Sequence, residues 1–382
     1  MKPIVIKSPS NIAIVKYMGK ADRSLNLPAN SSISLTLDRL ATWLVLTKFE
    51  DERLGSSVEC LDQSWLRDRR FDLDSLGLDL QTLEKLELSE KEKTRTLEFF
   101  NKARLVLAPK LEAMGFRLAD SFDRKTFELR SANTFPASAG IASSAASFSA
   151  VALAAAVSCV RESDQFCREF SGVREVSTKL KLMIAEVARQ GSGSSCRSLV
   201  GPWVKWEGEK SFELPSRLPQ LVDLVMVVGR EKKQVGSSEA HSRVLASPLW
   251  QARQDRMPAL VRTVEESIRD GDLNRLAELS FKEALEMHSL FHTSAVPFTY
   301  FLPGTMKILN WVMALLADER KGFKNLPIVT LDAGPNIHFI VEDSVKEYWV
   351  TKIQEYFPEF EILVDSQGAG SKIFQLEHYV AK

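Results

Sequence analysis

The segment Pro136-Ala-Ser-Ala-Gly140-Ile-Ala-Ser143-Ser144-Ala145 is a run of small residues that leads directly into an apolar, alanine-rich stretch at residues 147–157. The stretch predicts a buried helix, and the small side chains of the run let its backbone close tightly on a ligand. Because the first turn of a helix has free N–H groups and the positive end of the helix dipole, an anion such as phosphate is favoured there. By itself, such a run is more often a tight turn than a nucleotide site. The Gly-x4-Gly-Lys-Ser/Thr pattern of P-loop enzymes does not occur in the chain.

Composition argues against several classes of protein. The 382 residues include 50 basic and 50 acidic side chains, so the formal net charge is zero. Because nucleic-acid binders usually have a basic excess, we expect no nucleic-acid partner, and no electrostatic attachment to a membrane. No apolar run approaches the roughly 18 residues of a membrane-spanning helix, and the first residues do not resemble a signal peptide. The four cysteines have neither CxxC nor metal-site spacing, which predicts reduced thiols, a cytoplasmic location and no structural zinc site.

Strand and helix patterns follow one another irregularly along the chain. Strands are predicted at residues 4–7, 32–38, 42–47, 126–132, 200–206, 220–229, 327–331, 337–341 and 360–364. Helices are predicted at residues 75–104 (one solvated helix or two), 147–157, 173–189, 255–270, 272–290, 305–317 and 343–356. Since there is no regular βα alternation, the pattern favours the α+β class over a doubly wound α/β fold. The length is sufficient for two domains or one large one.

Three polar segments are candidates for a phosphate-binding or catalytic site. Residues 11–20, Asn-Ile-Ala-Ile-Val-Lys-Tyr-Met-Gly-Lys, place Lys16 and Lys20 around a glycine, where both could meet phosphate; a charged strand end is the alternative. The Gly/Ser loop at 191–198 includes Arg197, whose planar fork can hold a carboxylate or phosphate, or else cover surface. Asp332 begins the sequence Asp-Ala-Gly-Pro-Asn at a predicted strand end, and is either a general base or part of an Asx turn.

Cys196 and two histidines are weaker candidates for a chemical role. Cys196 lies beside Arg197, but no histidine is close in sequence, which favours a structural thiol over a nucleophile. His288 and His292 are four residues apart, yet no glutamate follows His288 in the zinc-protease pattern and no third ligand is evident. We therefore interpret both histidines as core residues or as supports for other groups.

Together and in this order, the segments resemble the mevalonate diphosphate decarboxylase family of the GHMP kinase superfamily. The resemblance covers nearly the whole chain. It rests on Asn-Ile-Ala-x-x-Lys-Tyr-x-Gly-Lys at 11–20 with Asn-Ser-Ser-x-Ser-x-Thr-Leu at 30–37, Asn-x-Phe-Pro-x-x-Ala-Gly-Ile-Ala-Ser-Ser-Ala at 133–145, Ala-Arg-x-Gly-Ser-Gly-Ser-x-Cys-Arg-Ser at 188–198, Met-His at 287–288 and Asp-Ala-Gly-Pro-Asn at 332–336. The segment at 188–198 is the most specific of these.

The resemblance implies a GHMP kinase-type α+β fold of two domains. Residues 1–200 would form an S5-like part that binds ATP, and residues 201–382 a ferredoxin-like part that completes the cleft. The implied reaction uses ATP and Mg²⁺ to convert mevalonate 5-diphosphate into isopentenyl diphosphate, with phosphorylation of the 3-hydroxyl before phosphate and carbon dioxide leave. The implied partners are these small molecules and a second copy of the chain in a homodimer.

The family's working Asp, Lys and Arg correspond to Asp332, Lys16 and Arg197. By this resemblance Asp332 orients or deprotonates the hydroxyl, Lys16 keeps the aspartate ionised, and Arg197 clamps the substrate carboxylate. The implied substrate contacts are Asn11, Tyr17, Lys20, Ser143 and Cys196. The implied contacts to the ATP phosphates are Pro136, Ala139, Gly140, Ala142, Ser143 and Ser144, with Ser143 or Ser144 close to magnesium.

Departures from the family pattern leave the substrate open. Met18 stands where Lys-Tyr-Trp-Gly-Lys is usual, Ala240-His241 stands where Gly-Met is commoner, and the segment near 60–85 is longer than typical. One alternative is therefore decarboxylation of mevalonate 5-phosphate, or 3-phosphorylation without decarboxylation. The family's 3-kinase branch lacks the Asp and Lys that are present here. Another is an idle paralogue that only binds nucleotide or isoprenoid phosphates, which the loss of one of the three residues would have favoured.

Overall fold

The structure is a computed structural model that describes residues 3–48, 56–68, 76–84, 88–120, 126–136, 143–231, 233–316 and 326–375. Its strands are β1 (Ile4–Val15), β2 (Lys20–Asp22), β3 (Leu27–Pro28), β4 (Ser32–Lys48), β5 (Ser57–Cys60), β6 (Phe127–Asn133), β7 (Trp203–Glu207), β8 (Lys210–Glu213), β9 (Leu221–Val227), β10 (Ile328–Thr330), β11 (Ile337–Glu342), β12 (Glu361–Ser366) and β13 (Lys372–Gln375). Its helices are α1 (Gln63–Asp68), α2 (Glu90–Ala113), α3 (Ser143–Cys159), α4 (Ser163–Ser171), α5 (Arg174–Gly191), α6 (Ser237–Arg243), α7 (Trp250–Asp270), α8 (Leu273–His292), α9 (Pro303–Leu316) and α10 (Lys346–Tyr356). No helix in these ranges is long and apolar enough to cross a membrane.

The first sheet has the strand order β13-β1-β4-β6-β5, and β7 and β8 continue from the far half of β4. The long antiparallel pair β1–β4 lies at its centre, and its register shifts between Pro9 and Asn11 and again between Ala13 and Val15. Helices α2, α3 and α5 pack on this sheet and share one large apolar core. Alanines make up much of α3 and are buried, so α3 can approach its neighbours closely.

The second sheet has four antiparallel strands in the order β10-β11-β9-β12. The chain runs from β9 through helices α6–α9 to the hairpin β10–β11, and then through α10 to β12, which is the β-α-β-β-α-β connection of a ferredoxin-like unit. Its apolar core includes Phe339, Trp349 and Phe357. The two sheets together confirm the expected α+β class.

The chain returns from the second sheet to the first through residues 366–371. The Gly368 N–H donates to the Thr36 carbonyl at 2.8 Å, and the Asp365 carboxylate accepts from the backbone N–H groups of Arg39 and Leu40, both at 2.7 Å. Strand β13 then pairs with the start of β1. Because of this return, residues far apart in sequence form one continuous sheet.

The predicted helix at residues 75–104 is wrong in its bounds. Helix α2 covers Glu90–Ala113, and Ser89 and Glu92 form a capping box that begins it. Residues 80–82 form a short 3-10 turn, and 75 and 85–87 lie outside the described residues. The predicted pieces at 4–7, 32–38 and 42–47 belong to the longer strands β1 and β4, whose near-complete burial hides the period-2 alternation.

We expect Gly368→Ala to lower the free energy of unfolding by roughly 2 kcal/mol or more, because a Cβ at this position would lie 2.0 Å from the Leu37 carbonyl oxygen. Gly236→Ala is the matched control, since a Cβ there meets nothing within 4 Å and the backbone has an ordinary negative φ. Urea unfolding followed by circular dichroism measures both. Equal stability of the two variants would contradict the close approach at Gly368.

Candidate active site

Three charged side chains from distant parts of the chain meet in one cavity of about 360 Å³. Lys16 follows the end of β1, Asp332 follows β10, and Arg197 ends the 3-10 turn Gly193–Arg197. The Lys16 Nζ donates to Asp332 Oδ1 at 2.7 Å. This convergence is what the resemblance implies for the family's Asp, Lys and Arg.

The surroundings of the ion pair lower the pKa of both Lys16 and Asp332. Burial lowers the pKa of Lys16, and the Asp332 carboxylate only partly offsets that effect. Burial alone would raise the pKa of Asp332, but the Lys16 ammonium holds it below its ordinary value. The Asp332 side chain keeps 23% of its surface exposed, so an ionised carboxylate opens towards the cavity.

Arg197 is buried but has no carboxylate partner in the part of the chain that the structure describes. Its Nε donates to Asn11 Oδ1 at 3.2 Å and its Nη1 donates to Ser32 Oγ. Asn11 is itself held by Ser198 Oγ at 2.9 Å, so it orients the guanidinium. Arg197 lines the cavity, and a carboxylate of a ligand would supply the counter-charge that the protein does not.

A second, fully buried ion pair holds the backbone of Lys16. Arg253 and Glu283 form a bidentate pair at 2.6 and 2.9 Å, and neither side chain is exposed. Glu283 Oε1 accepts the Lys16 N–H at 2.9 Å, and Arg253 Nη2 donates to the Lys16 carbonyl at 3.2 Å. Asn30 Nδ2 donates to the same carbonyl at 2.9 Å. The sequence reasoning missed Arg253 and Glu283, which lie in ordinary helical patterns on α7 and α8.

The other end of the cavity is cationic. Lys20 Nζ donates to Asn26 Oδ1 at 2.5 Å, and Arg95 Nη2 donates to the Gly191 carbonyl at 2.9 Å while its guanidinium lies over the Phe148 ring. Burial lowers the pKa of Lys20, and the nearby positive charge of Arg95 lowers it further. Neither cation has a carboxylate partner among the residues described, so this end suits an anionic ligand. The sequence reasoning missed Arg95, which comes from the charged helix α2.

Tyr17, Met18 and Lys233 also line the cavity. The Tyr17 hydroxyl is buried without a hydrogen-bond partner in the described ranges, and burial raises its pKa. Met18 is 3% exposed and packs in an apolar cluster that includes Met287. Lys233, which the sequence reasoning also missed, donates to the Ala333 carbonyl at 2.6 Å, and burial lowers its pKa although Asp332 opposes this.

Several expected site residues lie at the edge of the cavity or behind it. Ser144 lines the cavity at the start of α3, and Ser143 is the first residue of that helix. Asn11 and Cys196 are buried behind Arg197, and burial raises the pKa of the Cys196 thiol to about 11, as expected for a structural thiol. Pro136 is buried at the end of the described range 126–136. The expected residues Ala139, Gly140 and Ala142 lie outside the described residues.

The histidine at position 288 supports Asp332 from behind. Its Nε2 lies 3.2 Å from the Asp332 carbonyl oxygen, and burial lowers its pKa to about 3, so the neutral ring donates this hydrogen bond. It is fully buried and stacks on Phe301, as expected for a core residue. No group of three or more His, Cys, Asp or Glu side chains is arranged to hold a metal ion within the described ranges.

Comparisons with known proteins agree with the geometry. Residues 8–216 match the family model "Diphosphomevalonate decarboxylase-like N-terminal domain" and residues 223–379 match "Mevalonate 5-diphosphate decarboxylase C-terminal domain". The chain belongs to the diphosphomevalonate decarboxylase family. The diphosphomevalonate decarboxylase of Candida albicans is 30% identical over 366 residues, which cover 92% of this chain and 88% of that protein.

Solved structures of this family have the same fold. The complex described as MDDEF with MVAPP, AMPPCP and magnesium has a TM-score of 0.73 at 26% identity, and the match covers 98% of this chain and 99% of that one. The mevalonate diphosphate decarboxylase from Enterococcus faecalis, solved for its mevalonate diphosphate-mediated ATP binding mechanism, has a TM-score of 0.72 at 25% identity, with 98% and 99% covered. These matches confirm the two-domain GHMP kinase-type fold expected from the resemblance.

We expect Glu283→Gln to lower the free energy of unfolding by about 3 kcal/mol or more, because Arg253 would remain as a buried cation with a neutral partner. Glu286→Gln is the matched control on the same helix, since Glu286 is partly exposed and also contacts the exposed Arg256. Its cost is expected to stay below about 1 kcal/mol. Urea unfolding measures both variants, and a larger loss for Glu286→Gln would contradict the role of the buried pair.

Proposed function

We propose that the protein catalyses the ATP-dependent decarboxylation of mevalonate 5-diphosphate to isopentenyl diphosphate. The observation that carries this proposal is the partly buried Lys16–Asp332 ion pair, which opens into a cavity that Arg197 also lines without an ion-pair partner among the described residues. The cationic end with Lys20 and Arg95 lies in the same cavity. Membership of the diphosphomevalonate decarboxylase family supports the same reaction.

In the first step Asp332 receives the proton of the substrate's tertiary 3-hydroxyl, or orients that hydroxyl, as its oxygen forms a bond to the γ-phosphorus of ATP. The bond from that phosphorus to the bridging oxygen breaks, and ADP leaves. Lys16 keeps Asp332 ionised beforehand and offsets the negative charge of the transferred phosphoryl group. The low pKa of Asp332 suits a group that orients the hydroxyl and holds its proton only briefly.

In the second step Arg197 holds the substrate carboxylate while the 3-phosphate leaves. Departure of phosphate with the C3–O electron pair builds positive charge at C3. The C1–C2 bond then breaks, its electrons form the C2–C3 double bond, and carbon dioxide is released. Because Asn11 fixes the guanidinium, the carboxylate stays aligned until phosphate has gone.

The start of α3 is the proposed site for the ATP phosphates. Ser144 faces the cavity there, and Ser143 begins the helix, whose N-terminal N–H groups favour phosphate. The proposed loop contacts Pro136, Ala139, Gly140 and Ala142 precede it in sequence. A hydroxyl of Ser143 or Ser144 would help to hold Mg²⁺ together with the ATP phosphates, since Mg²⁺ prefers oxygen ligands. When bound, Mg²⁺ neutralises phosphate charge.

Lys20, Tyr17 and Arg95 are the proposed contacts for the substrate diphosphate, and Cys196 is fully buried near Tyr17. We also propose the division at residues 1–200 and 201–382, a homodimer and a cytoplasmic location. Free cysteines support a reducing compartment, since Cys60, Cys159, Cys167 and Cys196 form no disulfide. The homodimer rests on the family resemblance alone.

The principal experiment measures ADP and carbon dioxide released from mevalonate, its 5-phosphate and its 5-diphosphate in the presence of Mg²⁺-ATP. We expect both products in equal amounts, with the highest kcat/KM for the diphosphate, because Lys20 and Arg95 offer two positive charges to the phosphorylated end. Met18, a soft and adaptable wall in place of tryptophan, favours mevalonate 5-phosphate as the second candidate. A higher kcat/KM for the monophosphate would establish that candidate, and ADP without carbon dioxide would indicate a 3-kinase.

We expect Asp332→Asn to lower kcat by several orders of magnitude, about 4 kcal/mol or more in activation free energy, with a modest change in the KM for ATP. The amide keeps the shape of the side chain but can neither accept the proton nor stay anionic beside Lys16. Asp255→Asn, an exposed change on α7, is the control. Near wild-type turnover in Asp332→Asn would remove this residue from the chemistry.

A further inference from the structure

The imidazole of His241 on α6 is held in a fixed position at the cavity wall. Its Nδ1 accepts the backbone N–H of Gly19 at 3.1 Å. Its ring stacks on Tyr17, with centroids 4.2 Å apart, and Tyr17 in turn packs edge-on against Trp206 at 4.6 Å. The ring therefore has little freedom to turn.

These contacts determine which ring nitrogen carries the proton. Since Nδ1 accepts a hydrogen bond, the proton of the neutral ring is on Nε2. Burial, with a smaller contribution from the positive charge of Lys20, lowers the pKa of His241 to about 3, so the ring is neutral at neutral pH. Nε2–H makes no hydrogen bond to any residue that the structure describes.

His241 lies at the cationic end of the cavity, near Lys20, and not beside the ion pair of Lys16 and Asp332. Lys20 is close enough to depress the pKa of His241, and Arg95 acts on Lys20 in the same way. Both cations supply positive charge to this end and are held there, Lys20 by Asn26 and Arg95 by the Gly191 carbonyl. A rigid neutral N–H beside them adds a directional donor for a phosphate oxygen without further repulsion between cations.

We propose that His241 is a substrate-binding residue whose Nε2–H donates a hydrogen bond to a phosphate oxygen at the phosphorylated end of the substrate. The proposal rests on the proposed function, because it takes mevalonate 5-diphosphate as the ligand. It adds a contact made by a residue at which this chain departs from the family pattern, since Ala240-His241 stands where Gly-Met is commoner.

The competing explanation is that His241 only holds the Gly19 backbone. The two explanations use different nitrogens, and two amide side chains separate them. Asparagine reaches the position of Nδ1 and can keep the bond from Gly19, but it has no donor near Nε2. Glutamine reaches the position of Nε2 and can keep the donor.

The test measures the Kd of mevalonate 5-diphosphate by isothermal titration calorimetry without ATP, so that it does not depend on turnover. We expect His241→Asn and His241→Met to raise the Kd roughly 10- to 100-fold, the loss of one hydrogen bond to a charged group. His241→Gln is expected to recover most of this affinity. His292→Gln, the same change at an exposed histidine on α8, is the control for the substitution itself.

The opposite order would overturn the proposal in favour of the structural explanation: the Kd of His241→Asn would then be close to that of the wild type, and the Kd of His241→Gln would be raised. Equal affinity in all three variants would overturn it as well. Failure of the wild-type protein to bind mevalonate 5-diphosphate would instead count against the proposed function. If the variants do not fold, titration of ¹⁵N-histidine-labelled wild type decides the matter: a downfield shift of the His241 Nε2–H proton is expected on binding, and an unchanged shift contradicts the contact.

Discussion

The hydrogen-bonded ion pair of Lys16 and Asp332 is the interaction around which the cavity is organised. It joins the end of β1 in the first sheet to the end of β10 in the second, at 2.7 Å. A buried charge is costly unless it is paired, so each residue makes the other's ionised form tolerable at this depth. The same pairing keeps the carboxylate ionised and directed into the cavity, where an arriving hydroxyl can meet it.

The residues around this pair fix it through the backbone rather than through the reacting atoms. Glu283 and Arg253 together hold both the N–H and the carbonyl of Lys16, and His288 donates to the carbonyl of Asp332. Loss of one partner from such a contact lowers the stability of the protein, because the other partner is left as an unpaired charged or polar group in the interior. They also reduce the reorganisation needed when the substrate binds, which is the physical basis of preorganised catalysis.

The two ends of the cavity differ in how their charges are balanced. At the end with Asp332, Lys16 has this carboxylate as a partner, whereas Arg197 makes no ion pair among the described residues and Lys233 donates to the Ala333 carbonyl. At the far end, Lys20 and Arg95 are both without a counter-ion in the described ranges. A ligand with one carboxylate and a phosphorylated chain would balance both ends at once. This distribution of charge favours one orientation of such a ligand over the reverse.

The sequence by itself determined the α+β class and the approximate positions of most strands and helices, because these are properties of local pattern that a single segment carries. The grouping of Lys16, Arg197 and Asp332 was expected only from the resemblance to a known family, because no local pattern records that residues 316 positions apart meet. Tertiary structure alone decided that Glu283, 267 residues from Lys16, clamps its backbone, and that Gly19 selects the tautomer of His241. Such contacts depend on how distant segments pack across the two sheets, and neither helical nor strand periodicity records which partner a polar side chain meets there.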